Sequence, residues 1–457
     1  MRESRPRKHP ARLGTGLLAL LLLAHAAGAD PGIEDPAARV RKTVLGNGLT
    51  VLTLEDRTTP VVSFQLWVRV GSRDEARYTG IAHLFEHMMF KGSKRVGSEQ
   101  HARLIQARGG EVNAFTNNDF TVFFDDVTPE TLPLVIALEG ERIANLDISE
   151  KTLESERQVV LEERRLRTED DPEGRAFEAL MALAFTAHPY RTPVIGWRSD
   201  VEAATVEVCR RFFRSYYAPN NLWIAIVGDF DTEQALADIR RAFGGLQPVD
   251  SIPRNPTREP EQRGERRQIV HADVRSPLLA GAWHAPASGH PDAEALDVAS
   301  QVLSGGRSSR LYRRLVYDAQ KALAAEGAYW ELADAGIFYA FAPVRPDAKI
   351  EDVERLFLAE IARLRDQPVS PAELEKAKRQ LEVSLVNGLT TNHALAARIA
   401  RETASFGRVR PLEERLAAIA RVTAADVQRV ARTYLVDDQR SLVHVVKPPA
   451  AKREKKS

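Results

Sequence analysis

The sequence holds one cysteine, Cys209, in 457 residues. A lone thiol excludes an intrachain disulfide, so the fold must rest on core burial. Cys209 falls in the apolar-periodic run Val206 to Phe213, which predicts a buried structural thiol. Beyond residue 30 no apolar run approaches the ~18 consecutive residues of a bilayer span, which excludes a multi-span membrane protein. An excess of charge of one sign is also missing. The formal net charge is +1, and residues 1–29 hold +4 of charge, leaving the rest at −3. That near-neutral body carries no electrostatic footprint for nucleic acid. The short basic tail, Lys452 to Lys456, is a solvated end.

What remains is an ordinary globular composition, 44% hydrophobic and 28% charged, long enough for two domains of about 200 residues. Residues 1–29 have the form of a secretory signal peptide. A basic start precedes an apolar core from about Leu17 to Ala24, which His25 interrupts, and Ala27-Gly28-Ala29 offers a cleavage site before Asp30. Export to the periplasm or beyond follows, with the signal cleaved rather than kept as a membrane anchor.

Pro248, Pro253, Pro256 and Pro260 mark residues 247–267 as a linker, because proline fixes φ and removes a donor. It separates residues 31–246 from 268–447, with 448–457 as the basic tail. Each half opens with period-2 strands: 48–54 and 61–68 in the first, 268–272 and 278–284 in the second. A helix follows in each (79–91 and 292–304), and each closes with a helix and an apolar strand (205–217 with 222–227, 423–435 with 441–446). The expected class is α+β: two homologous halves, each a mostly antiparallel sheet packed with helices.

The most informative residues are His83-Leu84-Phe85-Glu86-His87, inside the helical apolar spacing of Ile81, Leu84, Phe85, Met88 and Met89. At about 100° per residue, His83, Glu86 and His87 share one helix face. Two neutral imidazoles one turn apart can bind zinc, and the carboxylate beside them can take a proton from water acidified by the metal. A third protein ligand is then required. The run Leu153 to Arg167 offers Glu154, Glu156, Glu162 and Glu163. Glu156 and Glu163, seven apart, share a face with Val159 and Val160, whereas Glu162 points about 100° away. A buried carboxylate needs compensation, so the inward-facing Glu163 or Glu156 is the better ligand.

The order His-x-x-Glu-His, followed at residue 163 by a glutamate, resembles the pitrilysin-type (inverzincin) zinc metallopeptidases, which include insulysin and the mitochondrial processing peptidase. The likeness runs through 71–75, 90–92, Asn113-Ala114-Phe115-Thr116, Tyr190, Gly196, 219–221 and 228–229, and reaches 304–306 and 308–312 in the second half. By position it implies one Zn2+ held by His83, His87 and Glu163, with Glu86 as general base and Glu156 as a supporting carboxylate. It also implies that Asn113 and Ala114 belong to an edge strand on which substrate backbone is added as a further strand. The implied activity is hydrolysis of peptides or unfolded segments. A peptidase dedicated to one peptide precursor is an alternative, as is a catalytically silent structural or peptide-binding subunit. The second half lacks the metal motif. Its comparable helix, 293–300, contains no histidine, and His188, His284 and His393 have no spaced partner.

One departure points to a partner. Many members of the family carry Arg and, seven residues on, Tyr in the second half. Aligned on Leu315, those positions are Val316 and Leu323, while Arg310 and Tyr317 share the spacing but fall six residues early. The expected assembly is therefore a heterodimer with a homologous chain that supplies the Arg/Tyr pair, and otherwise a homodimer.

Overall fold

A computed structural model describes residues 35–449. The expected signal peptide and residues 450–457 of the basic tail lie outside the described residues. No helix among the described residues is long and apolar enough to cross a membrane.

Two sheets organise the chain. The first comprises β1 (Arg41–Val44), β2 (Thr50–Glu55), β3 (Val62–Val68), β4 (Glu111–Thr116), β5 (Thr121–Val127) and β6 (Leu222–Gly228), in the order β1-β2-β6-β3-β5-β4. The second comprises β7 (Arg266–His271), β8 (Leu278–Ala285), β9 (Glu326–Trp330), β10 (Gly336–Pro343) and β11 (Arg440–Val446), in the order β7-β11-β8-β10-β9. Setting β1 aside, the sheets match strand for strand. In each, the opening strand pairs in parallel with the closing one (β2 with β6, β7 with β11), and every other pairing is antiparallel. The duplicated α+β organisation expected from the sequence is thus present, and β4 and β9 are the corresponding edge strands.

The central strands are buried on both faces; β6 is a nearly continuous apolar run, while β3 keeps its alternation with Ser63 and Gln65 buried on the second face. Along β3, Val62, Phe64, Leu66 and Val68 enter the core of their own half. Trp67 points the other way, toward a helix that belongs to the second half. That helix, Asn392–Phe406, sets Leu395, Ala396, Ile399 and Ala400 against Trp67, Val122, Ala225 and Val227. The exchange is reciprocal. Helix Pro172–Ala184 of the first half lays Ala176, Leu180 and Met181 on Ala280, Ala282, Val443 and Val445 of the second sheet.

Between the helix ending at Phe243 and β7 the chain forms no helix or strand, in keeping with its prolines. It is nonetheless strapped down. The Glu259 carboxylate accepts from the N–H groups of Thr186, Ala187 and His188 at 2.8–2.9 Å, and Arg254 pairs with buried Asp74 at 2.9 Å. Cys209 is fully buried, and burial pushes its thiol up to about 12, as a structural cysteine requires.

Candidate metal centre

Helix Ile81–Met88 carries the motif. Its buried stripe of Ile81, Leu84, Phe85 and Met88 fixes the rotation, and Phe85 stacks on Phe212 with ring centroids 5.4 Å apart. The N-terminus is held by Glu75, whose two carboxylate oxygens accept from the N–H groups of Gly80 and Ala82 at 2.8 Å each. Gly80 is required here. It sits at φ +83°, and a Cβ would lie 2.5 Å from the Ile195 carbonyl oxygen. The opposing Gly196, at φ +77°, approaches Thr79 and Gly80 in the same way.

Helix Glu150–Arg164 crosses the motif helix and brings the acidic residues to it. Glu163 Oε2 lies 3.2 Å from His87 Nε2 and 3.6 Å from His83 Nε2. Ligands bound at about 2.0–2.1 Å in a tetrahedron stand about 3.3 Å apart, so this donor set fits zinc. The His83 Nδ1 atom is buried without a partner. Burial and the neighbouring His87 ring pull His83 down to about 4, which keeps this imidazole neutral and able to ligate. Burial also opposes charge on His87, but its bonds to Glu156 and Glu163 outweigh that and raise it to about 9. Two imidazoles and a carboxylate converging within ligand distance, with a spare carboxylate beside them, suit a divalent cation.

Glu156 is buried. One oxygen faces His87 Nδ1 at 3.7 Å, and the other takes Lys91 Nζ at 3.1 Å and the Ser155 hydroxyl at 2.9 Å. It therefore supports the far side of the His87 ring, the usual place for a carboxylate behind a ligating histidine. Glu162 points to solvent and pairs with Arg165. One expectation on this helix is corrected: Val160 is buried, but Val159 is 44% exposed. The inward face is narrower than the seven-residue spacing implied: Leu153, Glu156 and Val160 are buried, and Val159 turns toward solvent.

Glu86 lies beside the donors, with Oε2 buried and unpartnered. Burial raises its pKa, opposed by a hydrogen bond to Thr116, the last residue of β4. Asn113 and Ala114 lie on the same strand, and the Asn113 side chain accepts from the Ala114 N–H at 2.9 Å. Among the described residues β4 pairs only with β5, which leaves its outer edge open beside the motif.

Arg167 carries no signal in the sequence, whereas Tyr190 and Arg73 lie in stretches that share the family likeness. Arg167, on the π-helical turn Arg165–Glu169, binds the outer oxygen of Glu163 at 2.8 Å. A cavity of about 310 Å³ opens off His83 and Glu163, with Phe177, Met181, Val194 and Ile195 among its walls. Tyr190 closes one side. Its hydroxyl donates to Asp119 at 2.7 Å and accepts from the Asp334 N–H at 3.1 Å, while Arg73 bridges Asp119 and Asp334 at 2.9 and 3.1 Å. This network ties the β4–β5 turn to the β9–β10 turn. The three histidines without spaced partners play structural parts. His188 accepts from the Tyr190 N–H, His284 meets the Ala184 carbonyl, and His393 pairs with Asp126.

The family model "Insulinase (Peptidase family M16)" matches residues 50–197, and "Peptidase M16 inactive domain" matches 203–381. The zinc protease PqqE of Helicobacter pylori is 29% identical over 94% of this chain and 97% of its own length. An uncharacterized zinc protease of Streptomyces coelicolor is 31% identical over 88% of each chain. Among solved structures, a protease from Helicobacter pylori superposes with a TM-score of 0.87 at 30% identity, covering 91% of this chain and 100% of that one. With its duplicated fold, its convergent donors and matches along most of its length, the chain belongs to the M16, insulinase-type peptidase family.

Proposed function

We propose that this chain is an exported zinc endopeptidase acting on peptides or unfolded polypeptide segments. The observation that carries the proposal is the convergence of His83, His87 and Glu163 beside Glu86, under the open edge of β4. Bound zinc would supply Lewis acidity, polarising the scissile carbonyl and acidifying water. The remaining work falls to the chain. Glu156, itself held by Lys91, supports the His87 ring, and Arg167 holds Glu163. β4 offers unpaired N–H and C=O groups to a substrate added as a strand, so affinity comes from main-chain hydrogen bonds and tolerates varied side chains. Glu86, whose pKa burial raises, takes the proton from water and delivers it to the departing amine.

The decisive experiment compares purified wild-type chain with Glu86→Gln for zinc content and for hydrolysis of an unstructured peptide. The variant should hold one zinc and lose about 10²–10⁴ in turnover, since it keeps every ligand and loses only the base. Near-normal turnover at full zinc occupancy would remove Glu86 from this role. Zinc binding with no hydrolysis by the wild type, alone or with a partner, would favour the silent-subunit reading.

The second half supports a divided assembly. Arg310 is buried and held by Glu373 at 2.8 and 3.1 Å, so it is committed within its own half, and Tyr317, seven residues on, is 73% exposed. Val316 packs against the core and Leu323 is half-exposed; neither side chain donates a hydrogen bond. We therefore propose a heterodimer with a homologous chain that brings the Arg/Tyr pair. Mixing the two chains should raise kcat/KM well above that of either alone. Full activity of the isolated chain, unchanged by the homologue, would sink the idea.

A further inference from the structure

A second cavity, of about 570 Å³, adjoins the one beside His83 and Glu163. The two share Gly174 and Phe177, on the first turns of helix Pro172–Ala184, so they meet at that helix. The far wall of the second belongs to the other half of the chain, to the edge strand β9 and its neighbour β10.

Strand register makes this space. In an antiparallel pair, residues directly opposite one another lie on the same face of the sheet. Tyr339 stands opposite Ala328, and Phe341 opposite Glu326. The edge strand thus sets only a methyl group against the Tyr339 ring and leaves it uncovered. Phe177 reaches across from the helix, its ring centroid 6.1 Å from Tyr339, 6.3 Å from Phe341 and 5.9 Å from Trp330. These are the spacings of aromatic pairs, yet all four rings remain only half-buried. Gly174, one turn before Phe177, adds no side chain between the two cavities, and a Cβ there would run into the Arg167 carbonyl oxygen.

The polar groups narrow the choice of occupant. Among the described residues no arginine or lysine lines the cavity, so nothing there pairs with an acidic side chain. Glu173 and Glu326, both exposed, stand at its edge and repel one.

We propose that this cavity is a specificity pocket that receives an aromatic or large aliphatic side chain of the peptide, a short way along the chain from the scissile bond. The identity of the occupant rests on the peptidase reading above. A peptide added as a strand to β4 turns alternate side chains to one face, and the cleft beside His83 leads to Phe177. A side chain that passes Phe177 meets Tyr339 and Phe341 with room between them. Covering these rings removes apolar surface from water, and ring contacts at such spacings add to the gain. The volume is that of an ordinary ligand pocket. Main-chain pairing on β4 reads no sequence, so selection among peptides falls to this pocket.

Peptide binding by the whole Glu86→Gln chain tests the proposal without requiring turnover. Fluorophore-labelled unstructured peptides of one sequence carry Phe, Leu, Ala, Lys or Asp at one position at a time, and anisotropy gives each Kd. At one position Phe and Leu should bind roughly tenfold or more tighter than Ala, with Asp the weakest. Ala328→Trp, which fills the cavity from the edge strand, should abolish the preference for Phe over Ala while zinc content stays at the wild-type level. Phe341→Ala, which removes a wall, should reduce the same preference. Equal affinity for Phe and Ala at every position, a preference for Lys over Phe, or an undiminished preference in Ala328→Trp would overturn the proposal. Failure of the peptidase reading shows separately, as a zinc-loaded wild type that binds these peptides with the Phe preference and hydrolyses none of them.

Discussion

Glu162 and Glu163 are neighbours in sequence and opposites in environment, and that contrast gives the sharpest test at the residue scale. Glu163 faces both imidazoles, whereas Glu162 pairs with Arg165 in solvent. Glu163→Gln should bind zinc at least 100-fold more weakly, and Glu162→Gln should be indistinguishable from wild type. Metal analysis after dialysis against a chelator decides it; equal zinc loss in both variants would show the register of the helix to be wrong. The motif residues were legible because one turn of helix sets His83, Glu86 and His87 on a common face. Spacing alone left Glu163 and Glu156 open as the ligand. It could not find Glu75, Lys91 or Arg167, which reach the site through side chains and turns rather than through any period.

At the scale of elements, the strands and helices that period-2 and period-3.6 patterning placed lie within two residues of their observed ends, except the motif helix, which stops at Met88 rather than at residue 91. A buried polar group between elements gave no such pattern. His101, on helix Gln100–Gln106, meets Asp125 of β5 at 3.1 Å, and Glu139 of helix Leu132–Asn145 lies beside them, paired with Arg142. Their separation in sequence hides the cluster. Burial pushes Asp125 up to about 6 and Glu139 up to about 7, and pulls His101 down to about 4. The carboxyls hold protons that the unfolded chain releases, so their stabilisation is present at acid pH and is lost as pH rises through about 6–7. His101 acts in the opposite sense, being uncharged in the fold where the unfolded chain would bind a proton. Asp125→Asn isolates the carboxyl contribution. Between pH 5 and 7.5 the wild type should lose about 1 kcal/mol more unfolding free energy than the variant. Parallel denaturation profiles across that window would refute the assignment.

On the scale of the whole molecule, the sequence showed two similar halves and a proline-rich join, but not that each half completes the other. Apolar periodicity identifies a buried face without naming the sheet it covers, and helices Pro172–Ala184 and Asn392–Phe406 each cover the sheet of the opposite half. The halves should therefore not unfold independently. Ile399→Ala, at a fully buried position on the exchanged helix, should cost about 2–5 kcal/mol and shift one cooperative transition rather than split it. Residues 35–246 expressed alone should expose apolar surface and aggregate, and should recover solubility when coexpressed with 247–449. A soluble, cooperatively folding first half would contradict this.

The exchanged helices also impose an order on the birth of the molecule. The proposed metal ligands are all made by residue 163 and the first sheet by residue 228, yet one face of that sheet stays bare until residue 406 has emerged. At about 5–20 residues per second, that interval lasts roughly 10–35 seconds of synthesis. Throughout it the nascent first half presents Trp67, Val122 and Val227 to its surroundings, an apolar surface that a holding chaperone would recognise. The early half must wait for the late one, so maturation of the zinc centre is tied to completion of a domain that contributes no ligand to it.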